Sequence, residues 1–246
     1  MDTLLSVGLS HQMAMLRRMD VIANNIANAS TTAYKGERVT FQDHLFTMEG
    51  DAPKPLRDLR FVQDFGILSS MQEGPLSTTD NPLDVALDGP GFLVALAEDG
   101  TRLFTRNGAL QVNAEGELAL LTGEPVLDVD DRPIPIGQDD IDIKIAGDGT
   151  ITSRAADLAQ LQIVSFERPH ELDRQGDSLF TTDQEEQPAP ETSIVQGVLE
   201  GSNVNPIKQI ADMINVMRSY QSMERSLNDY GEMRDRAVAQ LPRLQA

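Results

Sequence analysis

The stretch Ala23-Asn24-Asn25-Ile26-Ala27-Asn28, running on into Ser30-Thr31-Thr32-Ala33-Tyr34-Lys35, decides how this 246-residue chain is read. Asparagine opposes helix propensity, because its side chain competes for backbone hydrogen bonds. Yet Ala23 and Ile26 keep the apolar spacing of the residues before them. Two readings follow. Either the amides of Asn24, Asn25 and Asn28 bond between packed helices, where a buried polar group must be satisfied and fixes register, or they cap a frayed helix end.

Upstream, Leu5, Leu9, Gln12, Leu16, Met19, Ala23 and Ile26 fall at spacings that alternate between four and three. The pattern predicts a helix from Thr3 to Ala29 carrying a coiled-coil seam of about three heptads. At the other end Asn205 is a good N-cap and Pro206 suits the first helical position. Ile207, Ile210, Ile214 and Met217 form one apolar stripe. Met213, Val216, Tyr220, Met223, Leu227 and Tyr230 form a second beside it, and only Gly231 interrupts before Pro242. A face this wide predicts more than one neighbouring helix. The plainer alternative is that both helices pack on their own globular domain.

Between these ends the chain reads as β. Leu83–Leu87, Phe92–Ala97, Leu103–Thr105, Ala109–Asn113, Leu118–Leu121, Ile134–Ile136, Asp140–Ile145 and Gln160–Phe166 are short runs. They are separated by turn signals such as Asn107-Gly108 and Gly147-Asp148-Gly149. In Asp140–Ile145, Ile141, Ile143 and Ile145 share one face. The expected fold class is α+β: long N- and C-terminal helices forming a coiled-coil unit, and a central, mostly antiparallel β-domain of barrel or sandwich form. The expected domains are residues 1–35 (N-terminal helix of an axial core), 36–75 (extended connector), 76–197 (β-domain) and 198–246 (C-terminal helix of the core).

Charge divides the chain in the same way. Of its 39 acids and 20 bases, residues 1–46 and 201–246 together hold nine and ten, leaving 30 and 10 in the middle. Near-neutral helical ends on an acidic body suit a subunit of an assembly. The pI near 4.4 argues against nucleic acid, which needs a basic footprint. There is no cysteine, so no disulfide framework, thiolate nucleophile or Cys-held metal is available. No stretch approaches the ~20 apolar residues of a membrane span. Asp2 and the late Arg17-Arg18 do not fit a cleavable secretory signal.

Catalytic chemistry is not legible. His11, His44 and His170 are far apart in sequence, and the carboxylates at Asp128, Asp130 and Asp131 or at Asp139, Asp140 and Asp142 lack a calcium-loop pattern. Gly89-Pro90-Gly91 lacks the third glycine of a dinucleotide loop. No catalytic residue, cofactor site or metal site is expected.

Four blocks carry a resemblance. Ala23–Lys35 resembles the N-terminal signature of the bacterial flagellar rod and hook family, with Ala33 where that family usually has glycine. Asn81-Pro82-Leu83-Asp84-Val85-Ala86-Leu87-Asp88-Gly89-Pro90-Gly91-Phe92 and Phe104-Thr105-Arg106-Asn107-Gly108 are similar to its central blocks. Leu199-Glu200-Gly201-Ser202-Asn203-Val204-Asn205-Pro206 is similar to its C-terminal signature, continued by Met213-Ile214 and Arg218-Ser219-Tyr220; Met217 stands where the family often has Gln, and Gln221 where it often has Glu. Within the family the proximal-rod members are resembled most, with the distal-rod protein as runner-up.

The resemblance implies an axial subunit of the basal body. Such a protein leaves through the flagellar export apparatus without a cleaved signal and assembles in the periplasm-spanning rod. Its partners are copies of itself and other proximal and distal rod subunits, with no nucleic acid and no membrane insertion. The residues expected at the assembly interface are Leu5, Leu9, Leu16, Met19, Ala23, Asn24, Asn25, Ile26 and Asn28 at one end. At the other they are Ser202, Asn203, Asn205, Ile207, Ile210, Ile214, Met217, Tyr220 and Leu227. From another class, a periplasmic wall hydrolase would need a carboxylate with a raised pKa in an apolar cleft. An export chaperone would be small and all-helical.

Overall fold

Helix α1 (Asp2–Ala27) ends inside the asparagine-rich stretch in this computed structural model, which describes residues 2–47, 58–137, 140, 142–154 and 157–240. The chain divides into two compact units. One comprises Met1–Ala27, Glu37–Leu68 and Asn205–Ala246, the other Asn28–Gly36 and Ser69–Val204.

In the first unit α1 lies beside α2 (Pro206–Gln240). The two run in opposite directions. Gly8, early in α1, meets Leu227, late in α2, so closely that a Cβ on it would sit 2.5 Å from Leu227 Cδ2. Val21 and Ile22, near the end of α1, line one small cavity with Gln209 and Asp212 near the start of α2. Asn205 caps α2 as its sequence predicts: its Oδ1 accepts the Lys208 N–H at 3.1 Å.

Strands β1 (Glu37–Thr47) and β2 (Asp58–Ser69) pair as a two-stranded sheet. The expected connector at 36–75 thus contains two long strands. Val39, Thr40 and Phe41 favour that state; Pro53 and Pro55, between the two strands, lie outside the described residues.

The second unit is built on antiparallel pairs. β3 (Leu76–Thr78), β4 (Val85–Asp88), β5 (Phe92–Leu96), β6 (Arg102–Thr105), β7 (Leu110–Val112) and β8 (Leu118–Leu120) come first. β9 (Lys144–Ile145), β10 (Thr150–Thr152), β11 (Asp157–Gln160) and β12 (Ile163–Ser165) follow. β13 (Asp173–Gly176), β14 (Leu179–Thr181), β15 (Gln187–Pro188), β16 (Ser193–Gln196) and β17 (Val198–Glu200) complete it. The largest sheet has the order β13-β14-β6-β5-β12-β15. β16 pairs with β4, β17 with β3, β7 with β8, and β9-β10-β11 form a three-stranded sheet.

An aliphatic core around Leu87, Leu93, Leu118, Ile134, Ile151 and Leu161 fills this unit. A second cluster is aromatic: Phe166 stacks edge-on to Phe104 at 4.8 Å and lies 5.8 Å from Phe92, with Phe180 buried beside them.

Three expected strands differ in detail. Ile134–Ile136 is no strand; Pro133 and Pro135, which have no N–H to give, make only isolated bridges to Leu127 and Glu117. Asp140–Ile145 is strand only at Lys144–Ile145, and Ile141 lies outside the described residues. Gln160–Phe166 straddles the break between β11 and β12, where buried Leu161 turns into the core.

Candidate functional site

Two features stand out, one in each unit. In the first unit, the second stripe of α2 turns toward α1: Val216 is buried, and Met213, Tyr220, Met223, Leu227 and Tyr230 are partly so. From α1, Gly8, Ala14, Val21, Ile22 and Asn25 are buried in return. The first stripe of α2 is left open, with Ile207 80%, Ile210 50%, Ile214 44% and Met217 46% exposed. On α1, Leu9 and Leu16 are likewise exposed at 56% and 45%. An isolated exposed leucine is ordinary, but four large apolar side chains along one stripe of α2, with two more on α1, make apolar surface that water wets at a cost.

The predicted interface residues therefore part company. Leu9, Leu16, Ala23, Asn24, Ile207, Ile210, Ile214 and Met217 are exposed, as is Asn205, the cap. Met19, Ile26, Asn28, Tyr220 and Leu227 are half-buried, and the side chain of Leu5 lies outside what the structure describes. Asn25 is buried within the unit. Its Nδ2 donates to the Glu37 carbonyl at 2.7 Å and its Oδ1 accepts the Glu37 N–H at 2.8 Å, so the amide pairs with the start of β1 like a strand neighbour. Ser202 and Asn203 belong to the β unit. Asn203 Oδ1 accepts the Gly36 N–H at 2.8 Å, and its Nδ2 donates to the carbonyls of Ser70 at 2.8 Å and Gln72 at 2.9 Å.

The second feature is a buried charge cluster in the β unit. Glu200, at the end of β17, is 1% exposed, Lys35 0% and Arg106 3%. Glu200 Oε1 accepts from Lys35 Nζ at 2.7 Å and from the Gly74 N–H at 2.8 Å, and Oε2 accepts from Arg106 Nε at 2.7 Å. Lys35 Nζ also donates to the Gln72 carbonyl at 2.7 Å. Arg106 also donates through Nη1 to the carbonyls of Gly89 and Gly91 and through Nη2 to that of Leu87, at 2.8–3.0 Å. Gly74 must be glycine: a Cβ there would lie 2.0 Å from the Gly201 carbonyl oxygen.

The electrostatics are uneven, because one carboxylate faces two cations. Burial raises the Glu200 carboxyl, but Arg106 and Lys35 together outweigh it and hold it below the ordinary carboxylate range. Burial pulls the Lys35 ammonium down by more than Glu200 lifts it, and Arg106 adds to the fall. A general acid needs the opposite tuning from that of Glu200. Among the described residues, no three His, Asp or Glu side chains gather as a cation site, and no helix is long and apolar enough to cross a membrane.

Lys35, Arg106 and Glu200 each lie within a sequence motif, but no local pattern marks them as partners. The available signal was a charged residue inside each block. Arg174 carried no signal at all. Its guanidinium lies 4.3 Å from the centre of the Tyr34 ring and 5.5 Å from that of Phe180.

Comparison with known proteins agrees with these motifs. Residues 5–35 match the family "Flagella basal body rod protein", 86–153 match "Flagellar hook protein FlgE/F/G D1 domain", and 195–241 match "Flagellar basal body rod FlgEFG protein C-terminal". The chain is 34% identical to a flagellar basal-body rod protein FlgF of Caulobacter vibrioides, over 99% of this chain and 100% of the relative. It is 30% identical to FlgF of Mesorhizobium japonicum, over 98% of each. It is 33% identical to FlgG of Agrobacterium fabrum, over 93% of this chain and 95% of the relative. A chain whose N-terminal, central and C-terminal motifs all match, and whose relatives align over nearly their full length, belongs to the flagellar basal-body rod protein family and is most like the FlgF proteins within it.

Proposed function

We propose that this protein is a structural subunit of the flagellar basal-body rod, in its proximal part, and that it transmits torque for motility rather than catalysing a reaction. The observation that carries this is the open apolar surface of the first unit, where Leu9 and Leu16 on α1 and Ile207, Ile210, Ile214 and Met217 on α2 lack cover among the described residues. Burying one such side chain stabilises an assembly by ~1.5–3 kcal/mol. Copies of this chain and other rod subunits supply the cover, and the two helices then act as a coiled-coil unit. A contact between unlike faces that does not close on itself propagates as a helical filament. The sandwich-like β unit carries the surplus acidic charge and stays soluble.

The helices order fully only on assembly, because fixing a long terminal helix costs more than one partner helix returns. Export proceeds through the flagellar apparatus without loss of the N-terminus, and the subunit works where the rod spans the periplasm. The FlgG relative at 33% identity supports a second reading, a place in the distal rod. Strains lacking either rod protein separate the two: this chain restores motility to the strain that lacks its true counterpart. Leu16→Asp and Ile214→Asp each abolish rod assembly and swimming while the β unit stays folded. Normal swimming in both variants would overturn the proposal.

A further inference from the structure

The segment Asn28–Gly36 belongs to the β unit yet forms neither helix nor strand there. What holds it is a set of side-chain and backbone links along its last five residues. Ser178 Oγ donates to the Thr32 carbonyl at 3.3 Å, and the Ala33 N–H donates to the Glu200 carbonyl at 2.8 Å. The Asn203 N–H donates to the Tyr34 carbonyl at 3.2 Å, and Arg174 Nη2 to the Lys35 carbonyl at 2.9 Å. The Ser70 N–H donates to the Gly36 carbonyl at 2.8 Å. A stretch with no ladder of its own but this many partners is a strap docked on the body.

Lys35 is the strap's single charged residue, and it is wholly buried. A buried ammonium is tolerated only when paired. Among the described residues Glu200 is its one anionic hydrogen-bond partner; the other acceptor is the Gln72 carbonyl. Arg106 differs, because the carbonyls of Leu87, Gly89 and Gly91 hold it within the body, and Glu73 Oε1 lies 3.8 Å from its Nη2. Removing the Glu200 charge therefore leaves Arg106 anchored and sets Lys35 against it, with repulsion that burial leaves unscreened. The strap, not the body, bears the consequence.

We infer that Glu200, paired with Lys35 beside Arg106, is a charge latch: its carboxylate neutralises the buried ammonium, so the Asn28–Gly36 strap stays docked on the β unit in the unassembled subunit, and loss of that charge releases it. Where the helices order only on assembly, as proposed above, the latch sets the two points from which ordering starts: Ala27 on one side and Asn205 on the other. The latch also fixes Tyr34 under Arg174.

Hydrogen exchange on the dilute full-length monomer tests this. In the unsubstituted protein the 28–36 peptide is protected along with 198–204. In Glu200→Gln its protection falls by about a hundredfold or more, while the 92–105 peptide keeps its own. Lys35→Met retains the protection, because Glu200 still has Arg106. The Lys35→Met/Glu200→Gln double variant regains it, because the stranded cation is gone. The inference is overturned if the strap exchanges freely in the unsubstituted protein, if Glu200→Gln leaves it protected, or if the double variant fails to restore protection. Should Glu200→Gln unfold the whole body, restoration in the double variant decides. Protection of α1 and α2 in the same monomer would contradict assembly-coupled ordering and leave the latch standing.

Discussion

Glu200 answers two cations with one carboxylate, and this has a consequence for pH. Its folded pKa is depressed, so its contribution to stability is complete above the ordinary carboxylate range and is lost as pH falls through the lower folded value. Lys35 is lowered, so its own linkage acts only toward alkaline pH, between its folded value and the ordinary one near 10.5. Urea unfolding of the full chain across acid pH shows a falling midpoint that Glu200→Gln flattens. A variant curve parallel to that of the unsubstituted protein would contradict the role given to this carboxylate.

Ala33 is the other informative residue. It is buried with φ +54°, in the left-handed region. Glycine relieves ~1–2 kcal/mol of strain there, but forfeits about 0.8 kcal/mol of methyl burial and ~0.4–1 kcal/mol through the freer unfolded chain. Ala33→Gly is therefore close to neutral in unfolding midpoint. Ala33→Val, branched at Cβ, destabilises by ~1–3 kcal/mol. Equal behaviour of the two variants would rule out backbone conformation as the constraint.

At the scale of elements, periodicity shows that a helix has an apolar face, not what covers it. The spacing of Leu9, Leu16, Met19, Ala23 and Ile26 located α1 to within two residues at its end, and the Asn205-Pro206 pair located the start of α2. Both stripes of α2 were legible. That Val216 and its row face α1 while Ile214 and its row stay open was not, because the two rows are equally apolar. The central strands β4–β8 were legible from apolar runs. Strands β13 and β15 were not, because Asp173–Gly176 and Gln187–Pro188 are polar and lie at the sheet's edges, where no apolar pattern is imposed.

The split between the stripes gives a prediction. Val216→Asp places a charge between α1 and α2 and destroys the pairing within the subunit. Ile214→Asp leaves that pairing intact and blocks only assembly. Neither variant assembles, so the comparison is made on the monomer with an excluded osmolyte added, which strengthens burial and orders the helices. There, cross-linking between α1 and α2 of one subunit persists in Ile214→Asp and is lost in Val216→Asp. Identical cross-linking in the two variants would contradict the assignment of faces.

Across the whole molecule, charge and motif order were readable from the chain: near-neutral ends, an acidic middle, and four family blocks in sequence. The convergence of residues 35, 106 and 200 on one point was not, since no local pattern spans such separations. The blocks that mark the family are therefore also the blocks that build one buried cluster, while the open stripe of Ile207, Ile210, Ile214 and Met217 lies outside it and is the surface proposed for neighbours.

The absence of cysteine makes the central claim directly measurable. Leu16→Cys and Ile214→Cys each introduce a single thiol on the open face, and Ala97→Cys in the β unit serves as a reporter away from the helices. Maleimide labelling is compared between the purified monomer and isolated basal bodies from swimming cells. The account predicts that the thiols at positions 16 and 214 react in the monomer and are shielded in the rod. Reaction at both positions as complete in the rod as in the monomer would show that no sister subunit covers the two stripes, and would contradict it.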